Sequence, residues 1–201
     1  MIKPTIYRRR KWRMSKFSLA VTAVSVVLLI VVGAGFLYNF IIDRYDRFIH
    51  PLGYSEYVEG YSALYKVPIE IVYAVIKTES SFNKDALSPK GAMGLMQITP
   101  DTFMWLMTKT GESHELDTLY MPHINIKYGV FFLSYLYNEF GSWETTYAAY
   151  NAGMSRIKGW LADPQITEEG RLVHIPFKET KNYVRLIQRA SENYRRLYKI
   201  E

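Results

Sequence analysis

Pro68-Ile69-Glu70-Ile71-Val72-Tyr73-Ala74-Val75-Ile76-Lys77-Thr78-Glu79 reads as a helix that carries a carboxylate at the end of its apolar face. Pro68 suits the first helical position, where its missing N–H would be unpaired in any case. Ile69, Val72, Tyr73 and Ile76 recur at i, i+3, i+4 and i+7, the spacing of one buried helical face. At about 100° per residue, Glu79 falls in register with that stripe. Partial burial disfavours the charged form of a carboxyl and raises its pKa above the usual ~4.3. A carboxyl that keeps its proton near neutral pH is what a general acid requires. The competing reading of Glu79 is an ordinary helix-end glutamate.

Outward from this helix the pattern stays helical. Ser55 to Lys66 forms one helix before it. Ser80 to Gly94 reads as an irregular loop, with Ser88-Pro89-Lys90-Gly91 as its turn. Thr99 caps a helix with Pro100 at its first position and Asp101 just after. Ile124 to Phe140 is a long apolar helix stopped by Gly141. Ser142 caps Trp143 to Asn151, with Gly153 as a left-handed stop, and Pro176 opens a last helix to about Tyr198. No run alternates over six residues, so the expected fold class is mainly α: a globular helical domain behind one N-terminal transmembrane helix.

That transmembrane helix is Phe17 to Ile42, an uncharged stretch. As a helix it spans roughly 39 Å, enough to cross a hydrocarbon core of ~30 Å with tilt. Arg8, Arg9, Arg10, Lys11, Arg13 and Lys16 precede it. By the positive-inside rule residues 1–16 are a cytoplasmic basic segment and the rest of the chain is exported. A cleaved signal peptide is the alternative, but the stretch exceeds the usual apolar core of such a peptide and Val32-Gly33-Ala34 is a weak cleavage pattern. Residues 43–53 form a juxtamembrane linker that reaches ~37 Å at most when extended, and 54–201 form the exported domain. The expected location is the plasma membrane, single-pass, with the domain on its outer face.

The net charge of +6 is concentrated at the start: residues 1–16 hold seven of the 25 Lys and Arg and no acid, leaving 18 basic against 19 acidic residues elsewhere. Nothing beyond the N-terminus points to nucleic acid or another polyanion. Cysteine is absent, which excludes disulfides, thiolate metal sites, a cysteine nucleophile and an acylated lipoprotein anchor. The four histidines, His50, His114, His123 and His174, show no metal-ligand spacing. No metal and no cofactor is expected.

Three further segments bear on Glu79. The loop from Ser80 to Gln97 is rich in small and hydroxyl residues; Gly91 and Gly94 permit close backbone approach, and Ser88 and Gln97 offer donors and acceptors to a polar neutral ligand. A structural loop crossing the core is the other reading. Tyr147-Ala148-Ala149-Tyr150-Asn151-Ala152-Gly153 is a helix end, yet the pair Tyr150-Asn151 also presents a hydroxyl and an amide. In the last helix Tyr183, Ile187, Ala190, Tyr194 and Leu197 share one stripe. Tyr183 is thus a core tyrosine whose hydroxyl needs a partner, for which a buried glutamate would serve.

Together these segments resemble the lytic transglycosylases of the soluble-lytic-transglycosylase type, a goose-lysozyme-like family, here in a membrane-anchored form. Glu79-Ser80-Ser81-Phe82 resembles the family's first motif and Ser88 to Pro100 the second. Ala149-Tyr150-Asn151-Ala152-Gly153 resembles the third and Ile175 to Val184 the fourth, in the family's order over residues 54–198. The resemblance implies cleavage of the β-1,4 bond between N-acetylmuramic acid and N-acetylglucosamine in peptidoglycan strands. No water is consumed, and a 1,6-anhydro end is left. It implies that Glu79 is the catalytic residue, acid and then base. Ser88 and Gln97 would hydrogen-bond the sugars with Met96 lining the substrate-binding cleft, Tyr150 and Asn151 would shape its floor, and Tyr183 would hydrogen-bond Glu79 and orient it. Ser80 would support the turn. Asp85 and Asp101 lie nearest in sequence but take no catalytic role. A lysozyme-type hydrolase on the same bond, or a glycan-binding scaffold domain without turnover, are the alternatives.

Overall fold

The computed structural model describes residues 16–168 and 171–200. The basic segment expected over 1–16 lies outside the described residues, save the backbone of Lys16. The chain divides into two units, 1–46 and 47–201. Helix α1 (Lys16–Ile49) is, among the described residues, the one helix long and apolar enough to cross a membrane. It continues through Ile49, so much of the expected 43–53 linker is helical rather than extended.

The second unit is built from α2 (Ser55–Tyr65), α3 (Ile69–Ser80), α4 (Pro100–Thr110), a 3-10 turn (Leu116–Tyr120), α5 (Pro122–Phe140), α6 (Trp143–Ala152), α7 (Met154–Leu161) and α8 (Lys178–Tyr198). A two-residue antiparallel pair, β1 (Thr167–Glu168) and β2 (Arg171–Leu172), joins α7 to α8. The fold is mainly α, as expected.

Helix α3 runs through the centre, with Glu70 to Ile76 all buried. An apolar stripe would bury one face; here the face opposite is apolar too, so neighbours can enclose the helix on every side. It packs chiefly against α8, while α5 joins α2 to α6. Two polar contacts fix α3 antiparallel to α8. At one end Arg195 Nη2 donates to Glu70 Oε1 at 2.7 Å; at the other Tyr183 Oη donates to Glu79 Oε1 at 2.6 Å.

Some helix ends differ from the expectation. Thr99 does cap α4, its hydroxyl accepting from Thr102 N at 3.3 Å. Ser142 stands at the N-cap of α6 but makes no side-chain cap; its carbonyl accepts from the Thr146 N–H and hydroxyl instead. Gly153 is not a left-handed stop: at φ 91° and ψ 140° it is a one-residue joint into α7, which the apolar pattern did not reveal because Ile157 is its one buried residue. Pro176 precedes α8 rather than opening it, since Phe177 is extended at the N-cap.

Candidate active site

Glu79 stands one residue before the C-terminus of α3, where the apolar run of the helix meets the loop 81–98. The chain leaves the helix through two successive left-handed residues, Ser81 (φ 50°) and Phe82 (φ 67°). Ser80 fastens this exit: its hydroxyl lies 2.8 Å from the Leu95 carbonyl and 3.2 Å from that of Ile76. Ser80 therefore supports the turn, as expected.

Burial pushes the Glu79 carboxyl up to about 7, partly opposed by the hydrogen bond from Tyr183. Burial wins because a shielded carboxylate loses more hydration than one neutral donor returns. No second carboxylate contributes to this shift. Asp85 is exposed and pairs with Lys84 at 2.8 Å, and Asp101 is exposed in the first turn of α4. Tyr183 and Tyr150 are held well above the usual tyrosine range by burial first and the Glu79 charge second. Both therefore act as neutral donors.

Tyr150 Oη donates to the Met96 carbonyl at 2.7 Å, and its ring packs on Phe132 at 5.1 Å. Gln97, itself left-handed at φ 49°, donates through Nε2 to the carbonyls of Gly94 (2.9 Å) and Ala86 (3.2 Å). That leaves its side-chain oxygen as the group it can offer a ligand. Gln97, Ile98, Thr99, Thr102, Phe132 and Tyr150 line a cavity of about 50 Å³.

The remaining expected site residues fall differently. Ser88 Oγ accepts from the N–H groups of Ala92 (3.0 Å) and Lys90 (3.2 Å), closing the turn 88–91, so its hydroxyl hydrogen alone is left to donate. Asn151 is exposed and accepts from Thr180 Oγ1 at 2.9 Å, tying α6 to α8. Met96 does not line an open surface: its side chain is fully buried against Gly129, and it reaches the site through its backbone.

Sequence reading missed Asn125. Buried on α5, it accepts from Met96 N at 2.7 Å and donates to the carbonyls of Leu119 (2.7 Å) and Met93 (2.9 Å). Gly94, at φ 75°, lies so close to this amide that a Cβ there would collide with it. Asn125 thus fixes the loop that presents the Met96 carbonyl and Gln97. An amide flanked by Ile124 and Ile126 on a buried face was the available signal. Among the described residues no group of three His, Cys, Asp or Glu is placed to hold a metal ion.

Residues 56–172 match the family model described as Transglycosylase SLT domain. The chain is 33% identical over 168 residues to the soluble lytic murein transglycosylase of Escherichia coli strain K12, covering 81% of this chain and 25% of that protein. It is 30% identical over 169 residues to the membrane-bound lytic murein transglycosylase C of Mannheimia succiniciproducens, covering 71% of this chain and 47% of the relative. The crystal structure of the 70-kDa soluble lytic transglycosylase of Escherichia coli matches with a TM-score of 0.67 at 31% identity, over 74% of this chain and 25% of that one. An inactive mutant of lytic transglycosylase Slt from Pseudomonas aeruginosa matches with a TM-score of 0.66 at 28% identity, over 76% and 25%. The chain thus spans about a quarter of the length of the soluble relatives and just under half of the membrane-bound one.

Proposed function

This chain belongs to the Transglycosylase SLT domain family, and from that membership we propose that residues 54–201 form a peptidoglycan lytic transglycosylase domain. The observation that carries the proposal is Glu79: a shielded carboxyl at about 7, held by Tyr183, with no second carboxylate acting on it. A group poised there can give and take a proton in one cycle.

Glu79, protonated, donates to the glycosidic oxygen as the bond from C1 of N-acetylmuramic acid breaks, releasing the N-acetylglucosamine hydroxyl. The muramic N-acetyl group stabilises C1 meanwhile, so the enzyme needs one carboxyl where the usual glycosidase scheme needs two. Glu79, now a carboxylate, takes the proton from the C6 hydroxyl, whose oxygen bonds to C1. The products are a free N-acetylglucosamine end and a 1,6-anhydromuramic end, and Glu79 regains its proton. Ser88 and Gln97 hydrogen-bond the sugars, Tyr150 and Asn151 form the floor, and Met96 acts through its carbonyl. Tyr183 orients the acid.

Helix α1 and the membrane-bound relative support anchoring in a membrane. With residues 1–16 cytoplasmic and 17–42 spanning the plasma membrane once, the domain faces the wall, and its substrate is glycan near the membrane.

Digestion of purified murein with the full-length protein, followed by mass spectrometry, tests the assignment. Anhydro-terminated products, lighter by one water than reducing ends, are expected. Reducing ends would identify a hydrolase, and tight binding without products would identify a scaffold; either result rejects the proposal.

A further inference from the structure

The residues that precede α2 are packed into the domain rather than strung before it. Tyr198 Oη donates to the His50 carbonyl at 2.7 Å and Tyr194 Oη to the Pro51 carbonyl at 3.1 Å. The Tyr194 ring stands edge-on to His50 at 5.3 Å and stacks on Tyr73 at 5.2 Å. Tyr73 in turn lies 6.4 Å from the ring of Phe82. Phe82 closes the circuit: a Cβ on Gly53 would lie 2.9 Å from Phe82 Cδ1.

Phe82 is the second of the two left-handed residues that follow Glu79 and Ser80. Left-handed non-glycine residues persist only where their surroundings hold them. Around this turn the holding groups include Ser80, bonded to Leu95; Ser81, whose N–H and hydroxyl both donate to the Lys77 carbonyl; and the Asn83 N–H on the Ser80 carbonyl. The apolar prop is the Phe82 ring, lodged between Gly53 and Tyr73 from outside the loop. Gly53 itself is not left-handed, so its backbone would accept alanine, and its lack of a side chain is needed for space alone. We infer that Gly53 and Phe82 are positioning residues for Glu79, and that the segment 50–53 belongs to the catalytic architecture. Gly53 leaves room for the Phe82 ring, the ring fixes the turn, and the turn aims the carboxyl at Tyr183.

The inference rests on Glu79 being the acid, and the test separates the two. Full-length Gly53→Ala, Phe82→Leu and the double variant are compared with wild type by kcat and KM on murein. The midpoint of Glu79 is followed by carboxyl ¹³C NMR, which needs no turnover. The groups that face Glu79 from α6 and α8 are Tyr150 and Tyr183, neither of which titrates near its midpoint of about 7. Gly53→Ala is expected to lower kcat roughly ten- to a hundredfold with KM unchanged, as a misaimed acid does. It should also move the Glu79 midpoint below about 7 as water enters. In the Phe82→Leu background, Gly53→Ala should have no further effect. A wild-type kcat and midpoint in folded Gly53→Ala, or losses that simply multiply in the double variant, would overturn the inference. An inactive wild type would count against the reading of Glu79 as the acid, while the midpoints would still decide the positioning.

Discussion

Tyr183 and Glu79 meet at 2.6 Å, and this contact and the burial around it act on the Glu79 proton in opposite senses. The hydrogen bond favours the carboxylate, whereas the enclosure that brings the phenol close favours the acid. The balance leaves the carboxyl near neutrality.

Replacing Tyr183 by phenylalanine removes the contribution that favours ionisation. The Glu79 pKa should then rise above about 7. If, as proposed, the acid form starts the cycle, the alkaline fall in kcat should move to higher pH, while looser orientation lowers the plateau about tenfold. A pH–rate profile of Tyr183→Phe checks both; a shift to lower pH would contradict the assignment of roles.

Glu79→Gln retains shape but can neither give nor take a proton. Murein turnover should fall by about 10²- to 10⁴-fold, with the circular dichroism spectrum unchanged. Retained turnover would remove Glu79 from the mechanism.

The same variant exposes a cost in stability. Folded Glu79 binds its proton more tightly than the unfolded chain, because burial raises it from the ordinary 4.5 to about 7. Its stabilising effect is therefore complete below about 4.5 and is lost as pH rises to about 7 and beyond. The loss amounts to roughly 3 kcal/mol at most. Denaturant unfolding at pH 5 and pH 8 should show wild type losing stability relative to Glu79→Gln; parallel behaviour would mean the carboxyl is not held at about 7.

Asn125→Ala leaves the Met96 N–H and the Met93 and Leu119 carbonyls without their side-chain partner. An unpaired buried polar group costs about 1–3 kcal/mol, so this change should lower stability by roughly 3 kcal/mol or more. It should also impair kcat more than fold content, since the loop carrying Gln97 is released. Thermal melts paired with activity measurements test this.

What could be read in the sequence was whatever local pattern encodes. The register of Glu79 with Ile76, the Thr99 cap and the stripe through Tyr183 are properties of neighbours within a few residues, and each appears in the fold. The short helix α7 was hidden because it buries one residue. Asn125 was hidden because its partners lie up to 32 residues away. Met96 reads as a cleft residue until Gly129 is seen to accept its side chain. The segment 50–53 resembles a slack linker because Pro51 and Gly53 are turn formers; its partners on α8 are more than 140 residues distant.

The antiparallel seating of α3 on α8 also orders events in time. Tyr183 follows Glu79 by 104 residues. At a synthesis rate of about 5–20 residues per second, the glutamate exists for roughly 5–20 s before its phenol does. A nascent chain ending at α7 holds the Glu79 carboxyl but neither the phenol that hydrogen-bonds it nor the α8 helix that packs against α3. On the mechanism proposed for Glu79, the chemistry therefore waits for α8.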